Sequence, residues 1–79
     1  MGEIENIEEV TAYGDIFITY RNHRIFYKWK SRHLAWFVIV YKTGVEAAAP
    51  GYPCLGCEWL SSKTECIKWG KRLIDKQLG

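Results

Sequence analysis

The stretch His33-Leu-Ala-Trp-Phe-Val-Ile-Val-Tyr-Lys42 decides the fold. It is rich in β-branched and aromatic residues and reads as a strand, along which successive side chains point to opposite faces. One parity holds Leu34, Trp36, Val38 and Val40, and the other holds Ala35, Phe37, Ile39 and Tyr41. A strand with one face in water alternates apolar with polar residues, whereas a strand covered on both faces need not. This strand therefore asks for cover on two sides.

Working outward, Arg24-Ile-Phe-Tyr-Lys-Trp-Lys30 reads as the preceding strand, with Ile25, Tyr27 and Trp29 on one face and Arg24, Phe26, Lys28 and Lys30 on the other. Ser31-Arg32 turns the chain between the two. Asp15-Ile-Phe-Ile-Thr-Tyr20 reads as the first strand, joined to the second by a turn at Asn22-His23. Beyond Thr43-Gly44, residues 45–61 contain Ala47-Ala48-Ala49, Pro50-Gly51 and Pro53 without a sustained period, and read as an irregular loop. Ser62-Lys-Thr-Glu65 has the spacing of a capping box and predicts that a helix begins there. Ile67, Gly70, Ile74 and Leu78, with Cys66 and Leu73 beside them, form its apolar stripe, while Lys63, Lys68, Lys71 and Lys76 face outward. The expected fold is α+β: a three-stranded antiparallel meander followed by one C-terminal helix packed on one face. Residues 1–14 form an acidic arm, and 15–79 a single domain.

One helix covers one face of a sheet, so something else must cover the second. The sequence offers the arm with Ile4, Ile7 and Val10, the loop with Tyr52 and Trp59, a second copy of the chain, or a foreign partner. Charge is divided along the chain in the same region. Residues 1–15 carry −5, residues 16–45 carry +6 and the remainder +1, within a net charge of +2. Such segregation steers an anionic partner, unless the acidic arm folds back and neutralises the basic sheet in cis.

The whole chain is 79 residues, too few for a catalytic domain together with a cofactor domain. No Walker loop, GxGxxG, HExxH or GxSxG occurs, and His23 and His33 lie at expected turns without a nucleophile partner. No enzyme is expected. Met1-Gly-Glu-Ile-Glu5 is acidic and precedes no apolar stretch, and the longest apolar run, Leu34 to Tyr41, is too short to span a bilayer as a helix, so a soluble cytoplasmic protein is expected. Cys54-Leu-Gly-Cys57 has a gap suited to zinc, with Cys66 further along, but a fourth ligand would have to be His23, His33 or a partner's side chain. The expectation is free thiols and no cofactor.

These readings converge on a binding face made of Phe17, Phe26, Phe37 and Tyr41 as apolar anchors, with Arg21, Arg24, Lys28, Lys30 and Arg32 supplying orientation and rate. A host protein is the expected partner. Direct binding of DNA or RNA through the same face is the alternative, and a self-covering homodimer the third.

The order of three strands and one helix over residues 15–78, with the basic aromatic stretch Tyr20 to Tyr41, resembles the DNA-binding domains of the AP2 and tyrosine-integrase arm-binding type. That resemblance implies a sheet laid in the major groove, and the chain departs from it by its Pro/Gly loop before the helix. The aromatic sheet and the ending Trp59-Leu-Ser-Ser-Lys-Thr-Glu-Cys-Ile-Lys-Trp-Gly-Lys-Arg-Leu-Ile-Asp75 are similar in style to small phage and mobile-element proteins, anti-CRISPR inhibitors among them. This likeness implies a stand-alone inhibitor that covers a surface of a host nucleic-acid-processing complex. It transfers no active-site residue.

Overall fold

The hairpin closed by Tyr20 and His23 turns on Arg21 and Asn22, which take φ of 49° and 66° in the computed structural model of the chain. Two successive left-handed residues build a turn whose twist suits antiparallel strands. Tyr20 is thereby placed opposite His23, so His23 opens its strand instead of lying in the turn expected at Asn22-His23. The structure describes residues 7–42 and 54–79.

Its elements are β1 (Glu9–Val10), β2 (Ile16–Tyr20), β3 (His23–Lys30), β4 (Ala35–Lys42), β5 (Gly56–Leu60) and α1 (Lys63–Leu78). The strands lie side by side in chain order, each antiparallel to the next. The fold is therefore α+β, with a C-terminal helix on an antiparallel sheet of five strands and not the expected three. β1 is too short to carry a period of two, and it falls inside the segment read as an arm. β5 falls inside the stretch 45–61 read as irregular, of which 45–53 lies outside the described residues. Gly56-Cys-Glu-Trp-Leu60 has weak strand propensity, but β4 offers it a full edge, and pairing with that edge overrides the local preference. The strand expected from His33 starts at Ala35, because the His33 amide bonds the Lys30 carbonyl at 3.0 Å and closes a turn.

The helix packs on the parity that holds Ile18, Ile25, Tyr27, Val38 and Val40, and its Cys66 and Ile74 complete the buried core. Gly70 permits this close approach: a Cβ there would lie 2.8 Å from Ile25. Ser62 caps α1 through its hydroxyl, which accepts from the Glu65 amide at 3.2 Å. The returning carboxylate overshoots the expected Ser62 amide and meets Ser61 instead, at its hydroxyl (2.6 Å) and amide (3.3 Å).

Two carboxylates clamp the helix ends to the sheet. At the C-terminal end Asp75 accepts from Arg21 at 2.7 Å and from the Tyr20 hydroxyl at 3.0 Å. At the N-terminal end Glu8 pairs with Lys63 at 2.7 Å and accepts from the Tyr27 hydroxyl at 2.5 Å. Lys63 and Lys71, expected to face outward, also lie over the Tyr27 and Tyr20 rings, at 5.8 and 5.2 Å. The Arg21 and Tyr20 hydrogen bonds hold the Asp75 carboxyl below the usual carboxylate range, and those of Lys63 and Tyr27 do the same for Glu8.

Gly70→Ala sets about 1 kcal/mol of gained helix propensity against about 1–3 kcal/mol of overpacking on a core isoleucine that has nowhere to move. The expected outcome is a lower urea midpoint, partly restored by adding Ile25→Val. The acid side follows from the two clamps. Carboxylates with lowered folded pKa values stabilise fully above the unfolded value, near pH ~4, and lose that contribution as pH falls through the folded value. The urea midpoint of the native chain should therefore drop on acidification, and that of a Glu8→Gln/Asp75→Asn double variant should start lower at neutral pH and fall less.

Candidate docking surface on the open sheet face

Register assigns the face opposite the helix row by row. Thr19, Arg24 and Tyr41 form one row, and Glu9, Phe17, Phe26, Ile39 and Cys57 the next. Lys28, Phe37 and Trp59 form the third, and Lys30 and Ala35 the last. All three cations of these rows stand on β3, while the apolar surface extends from them across β4 to β5. No described helix or strand lies over it, since α1 packs on the other side.

The rings pack against one another. Phe37 meets Trp59 at 4.8 Å between centroids, Trp59 meets His33 at 4.5 Å, and Phe26 meets Tyr41 edge-on at 6.0 Å. Phe26, Phe37, Ile39 and Tyr41 are half-buried, and Trp59 is 42% exposed. Burial, with the Cys54 and Cys57 thiols nearby, raises the Tyr41 phenol above its ordinary pKa. The surface is an apolar mosaic of rings in mutual contact.

The nine residues singled out from the sequence are distributed unevenly. Phe26, Lys28, Lys30, Phe37 and Tyr41 share the face, as does Arg24. Phe17 is on the same parity but only 4% exposed, with the Arg24 guanidinium 4.7 Å over its ring and Phe26 at 5.0 Å. It supports the face from beneath. Arg21 is held away at the hairpin by its ion pair with Asp75, and Arg32 lies in the exposed turn between β3 and β4. Sequence reasoning left His33 and Ile39 out of the site and offered Trp59 only as part of a loop covering the second face. Ile39 was visible as part of the second parity of β4, whereas Trp59 and His33 join the surface only through the pairing of β5.

The thiols do not converge. Cys66 is in the core under the helix, where burial pushes its thiol up to about 11, and Cys57 is exposed on the opposite face. The zinc set considered from the sequence is thus split across the sheet, and among the described residues no group of three or more His, Cys, Asp or Glu is placed to hold a metal ion. His23 is 7% exposed, with Nδ1 2.8 Å from the Arg21 carbonyl, to which it donates across the hairpin. Among the described residues no helix is long and apolar enough to cross a membrane.

No protein-family model, no curated protein and no solved structure matches the chain.

The thiol arrangement is checked by alkylation with peptide mapping. Under native conditions iodoacetamide should modify Cys57 first and leave Cys66 unreacted until denaturant is added, because Cys57 is the most exposed of the three thiols, Cys54 is half-buried and Cys66 is sealed in the core. Protection of Cys57 that is lifted by a chelator would overturn this placement.

Proposed function

We propose that the chain is a non-enzymatic binding module that docks its open sheet face onto an acidic surface of a host protein and blocks that surface. The observation that carries this reading is the half-exposed mosaic of Phe26, Phe37, Ile39, Tyr41 and Trp59, bordered by Lys28 and Lys30 and lying opposite the only described helix. Buried aromatics supply most of the energy of protein interfaces, and rim cations set orientation and on-rate. A nucleic-acid-processing complex is the partner class suggested by likeness in format to small phage and mobile-element inhibitors.

Direct nucleic-acid binding is the second reading, favoured by the cations beside aromatic rings. Ring geometry weighs against it, because stacking needs free π-faces and these rings are tilted against one another. Charge weighs the same way. With Arg24 laid over Phe17, Lys28, Lys30 and Arg32 remain to meet phosphates, and about three contacts give a salt slope of only about −2 for a single strand. That term is too small to hold a complex at physiological salt by itself.

The test is affinity capture from nuclease-treated host lysate with tagged native chain and a Lys28→Glu/Trp59→Ala variant. A protein retained by the native chain and lost by the variant, at an unchanged urea midpoint, is the expected result. Retention by both, or material that disappears with nuclease, would count against docking through this face.

A further inference from the structure

β3 is longer than its neighbour on one side. Phe17 lies opposite Phe26, so Ile16, the first residue of β2, comes level with Tyr27, and Lys28–Lys30 extend past the end of β2. On their other side these residues stay paired: Lys28 with Phe37, Trp29 with Trp36 and Lys30 with Ala35. In a two-residue hairpin the closing pair, here Tyr20 and His23, is hydrogen-bonded, and every second residue repeats that orientation. Counting from His23, Trp29 directs its N–H and C=O toward the side where β2 has ended. Among the described residues, a firmly paired strand thus presents an open backbone edge.

A cleft of about 660 Å³ wraps this edge and reaches both faces of the sheet, continuing over the open face to Phe26, Ile39 and Tyr41. Asp15 and Ile16 stand at one end of it, Trp29 and Trp36 line the helix side, and Lys28 and Phe37 line the other. Trp29 is 45% exposed and meets Trp36 edge-on at 6.0 Å, which makes an indole pair open to an incoming apolar side chain. Lys28 and Lys30 share the opposite parity. Glu8 also lines the cleft, but it is engaged by Lys63 and Tyr27.

We propose that this edge accepts an extended segment of a partner protein as an added strand, with acidic residues directed to Lys28 and Lys30 alternating with apolar residues directed to Trp29 and Trp36. The proposal rests on the reading of the chain as a binding module and adds an edge contact to its face. Charge selects the occupant. Two copies of this edge laid antiparallel would bring their lysines together, which is how natural edges resist self-pairing, whereas an acid-bearing strand converts the same lysines into partners. The period of two on both sides of the edge sets the alternation. The open length is about 10 Å, enough for about three residues of the added strand.

The probe is a synthetic peptide, acetyl-(Glu-Val)-repeat-amide, added to the full chain while amide exchange and indole signals are followed by NMR. Binding should slow exchange of the Trp29 amide by about tenfold or more and shift the Trp29 and Trp36 indoles. A peptide with Lys in place of Glu, and one N-methylated on alternate residues so that it cannot pair with the edge, should each bind at least about tenfold more weakly. Lys28→Glu/Lys30→Glu should abolish binding of the acidic peptide and admit the Lys peptide, and Trp29→Ala, which leaves the backbone in place, should weaken binding without removing the Trp29-site amide protection. No binding at millimolar peptide, unchanged Trp29 exchange, or equal binding of the N-methylated peptide would each overturn the proposal, as would protection by a short oligothymidylate in place of the peptide. Trp59→Ala separates the two readings: it weakens docking through the face and leaves the peptide on the edge untouched.

Discussion

The structure depends on β4 being apolar at both parities while one helix covers only one of them. Val38 and Val40 go to the helix, so Phe37, Ile39 and Tyr41 must go to the other side. Side-chain direction alternates strictly, and a slip of one residue would exchange the two sets entirely. The register is locked from both directions, by the left-handed pair Arg21 and Asn22 in the β2–β3 hairpin and by the pairing of β4 with β5. Gly70 determines how closely the helix seals its side, since it brings the helix backbone onto Ile25. The open face is the geometric counterpart of that seal.

Polar contacts orient this arrangement more than they stabilise it. Arg21–Asp75 and Glu8–Lys63 are solvent-exposed ion pairs, a class that adds little to stability, yet they pin opposite ends of the helix and fix its angle on the sheet. They also determine where charge is left over. The acidic arm was open to folding back on the basic sheet, but Glu8 turns to the helix side and meets Lys63 and Tyr27. Of the arm's described acids, Glu9 shares the face with Arg24, Lys28 and Lys30, three rows of β3 being cationic against its single carboxylate. Among the described residues the segregation seen along the chain thus survives, on one strand.

How much of this was legible in the sequence follows the strength of each local signal. β3, β4 and the helix are long and strongly periodic, and Ser62 marks the helix start to the residue. β1 has two residues and β5 contains glycine and glutamate, so neither carries a pattern that survives without its neighbour. The same distinction runs through the face. Phe26, Phe37 and Tyr41 follow from parity within strands that the pattern reveals. Arg21 was counted with them because it continues the odd-numbered series of β2, but two left-handed residues interrupt that series and send it to Asp75. Trp59 and His33 required the pairing of β5, a long-range contact that no window of sequence contains. Phe17 shows the converse limit: parity gives the side of the sheet but not depth, and the Arg24 guanidinium over its ring decides depth.

Size then constrains how such a module holds a partner. Eight-residue strands and four inter-strand spacings span about 27 by 19 Å, or about 500 Å² of projected face, against about 800 Å² on each side of a standard interface. A flat face of that size has to compensate in quality, and a rigid sheet does so by losing little conformational freedom on binding. The interlocked rings are already ordered against one another, so docking need not freeze them. The edge beyond Ile16 contributes what the face lacks in area, and it does so through backbone groups that are directional where aromatic contact is not. Lys28 and Lys30 serve both surfaces from one strand, attracting an acidic partner and repelling a second copy of the chain. Specificity in so small a domain then comes as much from the pairing it refuses as from the one it accepts.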